Sequence, residues 1–84
     1  MKIWAFFSDE GAPKTGLSPV IDLWTNADTP VNIVVDGAFT EAGDGWYFYD
    51  HTIVRGTGYV YTIDGSASLS KRDRYKNGGI NEAL

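Results

Sequence analysis

Asp28-Thr29-Pro30-Val31-Asn32-Ile33-Val34-Val35-Asp36-Gly37-Ala38-Phe39-Thr40-Glu41-Ala42-Gly43-Asp44-Gly45-Trp46-Tyr47-Phe48-Tyr49 carries a turn signal every eight residues. The signals are Asp28-Thr29-Pro30, Asp36-Gly37 and Asp44-Gly45. Apolar and aromatic runs fill the gaps. That spacing leaves room for strands and none for helices of ordinary length, so the chain reads as all-β and built from hairpins. Asp36 and Gly37 both tolerate positive φ, which predicts a tight type I′ hairpin turn there. Gly43-Asp44-Gly45 predicts a second, looser turn.

Working outward, Pro30 heads the run Val31 to Val35, in which Val31, Ile33 and Val35 share a face. Pro19 heads a similar strand ending at Trp24, since the first position of a strand need not donate a ladder hydrogen bond. There Ile21 and Leu23 oppose Asp22. Lys2 to Phe7 is a first strand dense in aromatics. Ser8 to Gly16 reads as a loop around Gly11, Pro13 and Gly16. Trp46-Tyr47-Phe48-Tyr49 is wholly aromatic, so period-two alternation does not separate inside from outside. Thr52 to Gly58 is a connection. Tyr59 to Ile63 is the last clear strand, closed by Asp64-Gly65. No long helix, internal repeat or heptad pattern is present. The expected fold is all-β: a small antiparallel β-sandwich, Ig-like or transthyretin-like, of about six to seven short strands. Residues 1–76 form its single domain, and residues 77–84 an extended or flexible tail.

An 84-residue chain has a small core, burying roughly 60–65 % of the surface it would expose unfolded. It has no cysteine, hence no disulfide staple and no thiolate for metal or nucleophilic chemistry. This points to a reducing compartment or to stabilisation by neighbouring subunits. After Lys2 the apolar run stops at Ser8, short of the roughly 7–15 residues of a signal peptide. No run approaches the ~20 residues of a membrane-spanning helix. The net charge is −4. Residues 1–70 set Lys2, Lys14 and Arg55 against nine acids, whereas Lys71, Arg72, Arg74 and Lys76 face only Asp73 and Glu82 beyond. An acidic body repels nucleic acid. The basic segment could pair with an acidic neighbour, or simply be solvated.

Catalysis finds no support. His51 is the single histidine, and the adjacent Asp50 would point to the opposite face of a strand, away from it. No G-x-S-x-G elbow surrounds Ser66, Ser68 or Ser70. Asp9, Glu10 and Asp44 lack the dense spacing of a calcium loop. Asp36, Asp44 and Asp64 each precede a glycine, which turn chemistry explains. Gly56-Thr57-Gly58 lacks the third glycine and the helix of a phosphate cradle. No catalytic residue, metal ligand or cofactor is assigned. The surplus lies in aromatics: three Trp, five Tyr and four Phe. That is more ring surface than a small core hides, and neighbouring subunits would cover the excess. An edge strand at Ile3 to Phe7 would invite pairing with another sheet.

Several segments resemble a known group. Gly16-Leu17-Ser18-Pro19 opens one strand. Thr40-Glu41-Ala42-Gly43-Asp44-Gly45-Trp46-Tyr47-Phe48-Tyr49 leads into the aromatic one. Tyr59-Val60 run on to Ile63-Asp64-Gly65, and Arg74-Tyr75 follow. This order, over residues 16–76, resembles small β-domains of tailed-bacteriophage virion proteins, found alone or within tail and fibre proteins. The resemblance implies a structural module and carries over no catalytic residue. A polar residue often stands in those domains where Phe48 stands here. If that position faces outward, Tyr47 and Tyr49 face the core and Phe48 is an exposed contact.

The expected function is therefore a non-enzymatic virion component, a capsid decoration or a tail or fibre part. It is made in the host cytoplasm, present in many copies or as a homo-oligomer, and bound to other virion proteins, with no nucleic-acid or membrane partner. Trp4, Phe6, Phe48, Lys71, Arg72, Arg74 and Lys76 are its expected contacts. A carbohydrate-binding module for host recognition is the first alternative, because exposed rings stack on sugars. A small cytosolic inhibitor of a host enzyme is the next, although a dense acidic stripe is missing.

Overall fold

A computed structural model describes residues 1–52, 54 and 57–81. Ile53, Arg55 and Gly56, within the expected 52–58 connection, and residues 82–84 of the expected tail lie outside the described residues. The strands are β1 (Lys2–Phe6), β2 (Ser8–Asp9), β3 (Ala12–Pro13), β4 (Val20–Thr25), β5 (Asn32–Ala38), β6 (Thr40–Gly43), β7 (Trp46–Asp50), β8 (Gly58–Asp64) and β9 (Tyr75–Asn81), with one helical turn α1 (Lys71–Arg74) before β9. A three-stranded antiparallel sheet runs β1-β7-β6, and a four-stranded one runs β5-β4-β8-β9. The two form a sandwich around one core. Ile3, Ala5, Phe7 and Tyr47 come from the smaller sheet and its end, Ile21, Leu23, Tyr59 and Ile63 from the larger, and Leu69 plugs the end. Each large apolar side chain buried there contributes roughly 1.5–3 kcal/mol.

Both Asp-Gly pairs depart from the roles expected of them: the tight turn falls at Asp44-Gly45, and Asp36-Gly37 makes none. Asp44 (φ 54°) and Gly45 (φ 88°) form a two-residue loop between the paired Gly43 and Trp46. Positive φ at both central positions is the type I′ signature, so the tight turn is here. Asp36-Gly37 is no turn. Ile21 faces Gly37 and Leu23 faces Val34, so Val35 and Asp36 together oppose Asp22. That is a β-bulge, with Asp36 at φ 51° and its N–H donating to Asp22 Oδ1 at 2.9 Å. A type I′ hairpin needs positive φ at two residues, whereas this bulge takes it at Asp36 alone, with Gly37 outside that region. The choice fell to pairing: Ala38 continues against Val20, and Phe39 N–H donates to the Pro19 carbonyl. The chain then crosses to the other sheet between Phe39 and Thr40 without a loop.

A second bulge at Ile33 separates the Leu23–Val34 and Trp24–Asn32 pairs. The bulges turn Val34 toward the core and leave Val31, Ile33 and Val35 exposed by 56, 43 and 69 %. The expected loop at Ser8 to Gly16 holds the β2–β3 hairpin, closed by Glu10 (φ 53°) and Gly11 (φ 87°). The last strand lies past Ile63. The extended segment expected from residue 77 is, up to Asn81, part of β9, which begins at Tyr75 and pairs along all of β8. A pattern of Lys-Asn-Gly-Gly carries no strand signal by itself. Ile80 packs on the core from it.

Candidate interaction surface

Register decides which rings face out. β1 and β7 pair Lys2 with Asp50, Trp4 with Phe48 and Phe6 with Trp46. These residues alternate with the buried Ile3, Ala5 and Tyr47, so they share the outer face of the small sheet. Their rings form a continuous band. Trp4 and Phe48 centroids lie 5.2 Å apart, Phe6 and Trp46 5.1 Å, and Trp4 meets Trp46 edge-on at 6.3 Å. Lys2 Nζ sits 4.5 Å from the Phe48 centroid. Such pairs each add about 0.5–1.5 kcal/mol beyond area burial, so part of the band supports its own sheet. Yet Trp4 and Trp46 remain 49 and 46 % exposed.

Trp4, Phe6 and Phe48 are thus brought together. Phe48 is half-buried on the outer face, with Tyr47 fully buried behind it and Tyr49 packed against the core. Trp46 belongs to the same band and was missed from the sequence. Its parity with Phe48 was the available signal, once Asp44-Gly45 is read as the tight turn that starts β7.

The basic segment lies elsewhere, at the β8–β9 end. Lys71 and Arg72 are exposed on α1. Arg74 is engaged within the chain: its Nε donates to Asp64 Oδ1 at 2.7 Å and its terminal nitrogen to Oδ2 at 3.0 Å. That bidentate contact lowers the Asp64 pKa. Lys76 turns inward, its Nζ 5.1 Å from the Phe7 ring centroid.

A groove of about 390 Å³ crosses the outer face of the large sheet, lined in part by Asp22, Asp36, Thr62, Tyr75 and Asn77. A second groove on the same face shares Thr62 and Asn77 with it and is lined by Trp24. Among the described residues no three His, Cys, Asp or Glu side chains gather to hold a metal ion. His51 stacks on Tyr49 (centroids 6.4 Å apart) and meets Tyr59 edge-on at 5.5 Å. Ser66 and Ser68 bond each other, and Ser70 donates to Asp73. Among the described residues no helix is long and apolar enough to cross a membrane. Comparison with known proteins returned no matching family model, no similar curated protein and no similar solved structure.

Proposed function

We propose that the chain is a non-enzymatic accessory component of a tailed-phage particle, present in many copies and bound to other virion proteins through its small sheet. The observation that carries this reading is the Trp4–Phe6–Trp46–Phe48 band, an apolar surface lying on regular, rigid strands. Aromatic side chains offer a large contact area with little rotamer entropy to lose, which makes them effective interface anchors. The phage-like stretch supports the same face: Thr40 to Tyr49 makes β6, the tight turn and most of β7, and so holds Trp46 and Phe48 in place. Exposed Lys71 and Arg72 supply a contact for an acidic neighbour, while Arg74 and Lys76 brace the fold.

The test is co-sedimentation with virions of the tailed phage that encodes the chain. The wild type travels with the particles. Phe6→Asp and Phe48→Asp remain unbound while keeping native tryptophan emission. A wild-type chain that stays behind overturns the reading, and variants that bind normally remove those rings as contacts.

The two adjoining grooves at Tyr75 and Trp24 favour one second reading, a carbohydrate-binding module. Each sets an aromatic ring beside carboxylate or amide side chains, Tyr75 with Asp22 and Asp36 and Trp24 with Asn77, as sugar hydroxyls and ring faces require. A glycan panel that leaves tryptophan emission unchanged removes this alternative.

A further inference from the structure

The free edge of β1 has a geometry that selects its partner. Phe7 N–H donates to the Gly45 carbonyl at 2.8 Å, and His51 N–H to the Met1 carbonyl at 2.9 Å. In an antiparallel ladder, hydrogen-bonded pairs alternate with non-bonded ones. Met1, Ile3 and Ala5 therefore direct their backbone groups at β7, as does the Phe7 N–H, whereas the Phe7 carbonyl accepts from the Lys14 N–H at 3.0 Å. Lys2, Trp4 and Phe6 direct theirs the other way, into the open edge. Among the described residues, no loop or turn backbone bonds to them.

The remaining sheet edges are defended. β5 carries two bulges, and the Asn32 side chain donates to the Leu23 and Val34 carbonyls. β6 has four residues and a bulge at Ala42. β9 holds an inward-turned lysine, Lys76, and the adjacent Gly78 and Gly79. Bulges, short strands and inward charges are the usual devices against edge pairing. β1 has none of them: it is regular over five residues, without proline, its inward positions are Ile3 and Ala5, and its one charge, Lys2, stands at the strand's start on the outer face.

We infer that two copies of this chain pair β1 against β1 about a two-fold axis through Trp4. This rests on the reading that the small sheet is the binding element, and it names a second copy as the partner at its edge. Centred on Trp4, all three outward residues find partners: Trp4 faces Trp4 of the second copy, and Lys2 faces Phe6 in both directions. Each facing pair exchanges two N–H···O bonds. Lys2 meets an aromatic ring again, as it does over Phe48 within its own chain. No like charges face each other. The two aromatic bands join into one across a six-stranded sheet, still open on its outer face to a further partner.

The register makes a charge-swap test specific. Sedimentation equilibrium of the full chain is expected to give a dimer. Phe6→Lys sets two ammonium groups against one another twice per dimer and weakens it roughly tenfold. Adding Lys2→Glu to Phe6→Lys restores the dimer, because each facing pair becomes opposite in sign. If Phe6→Lys loses native tryptophan emission, Lys2→Pro serves instead. It removes one outward N–H without touching the β7 ladder and weakens the dimer likewise. A monomeric wild type, a dimer indifferent to Phe6→Lys (or, where Lys2→Pro stands in, to that variant), or a folded double variant without rescue overturns the inference. A monomer that still co-sediments with virions sinks the edge pairing alone. A dimer with the rescue pattern but no virion binding sinks the phage assignment alone.

Discussion

The hydroxyl of Tyr47 donates to the carbonyl of Lys14 at 2.8 Å, joining β7 to a segment far away in sequence. The same oxygen accepts the N–H of Leu17 at 3.2 Å. One fully buried side chain thus satisfies two backbone groups of the irregular stretch between β3 and β4, and its ring meets Phe7 edge-on at 5.7 Å.

Tyr47→Phe keeps the ring and leaves both backbone groups without a partner. The expected cost is about 0.5–1.5 kcal/mol per hydrogen bond lost, since both bonds are only part-buried, and it reflects lost polar partners rather than lost packing. Urea denaturation measures it. Hydrogen exchange at Leu17 should accelerate more than exchange in β4, since the latch holds the connecting segment.

Gly65 is expected to tolerate no side chain. A Cβ there would run into the Phe7 ring and the Leu69 methyl, both part of the core. Gly65→Ala should destabilise by about 1–3 kcal/mol through overpacking. Combining it with Phe7→Leu should recover part of the loss, because the smaller side chain yields space. A double-variant loss equal to the sum of the two single losses would show that the strain lies elsewhere.

The Asp64–Arg74 pair predicts a mild acid sensitivity. The Asp64 carboxyl lies below its ordinary 3.8, first because Arg74 hydrogen-bonds it, against a desolvation effect in the other direction, and further because of the Arg74 charge. A carboxyl whose folded pKa is depressed stabilises the fold above the unfolded value. The contribution is complete above about pH 4 and is lost as pH falls through the lower folded value. Both groups are partly exposed, so salt screens the effect. Urea midpoints between neutral pH and about pH 3 should fall less steeply for Asp64→Asn than for the wild type.

How much of this could be read without coordinates depends on whether the signal was local. Turn residues carry their conformational preference with them. Asp44-Gly45 and Asp36-Gly37 were both legible as positive-φ sites; the first has positive φ at both residues, the second at Asp36 alone. That one became a hairpin and the other a bulge was decided by Pro19 and Val20, which pair with Phe39 and Ala38 from outside the segment. Strand β9 had no local signal, because Asn77, Gly78 and Gly79 have low strand propensity. The exposed edge of β8 recruited it, and Ile80 packs on the core from its far end.

The aromatic band divides in the same way. Composition alone determined that a chain with twelve aromatic rings and a small core would leave some of them uncovered. Which rings those are followed from the β1–β7 register, a long-range pairing in which a slip of one residue would exchange Tyr47 for Phe48 at the core. Chemistry along the chain settled the fold class and the places where the backbone bends. The tertiary structure decided the facing partners, because side-chain direction in a strand has a period of two and only the neighbouring strand sets its phase.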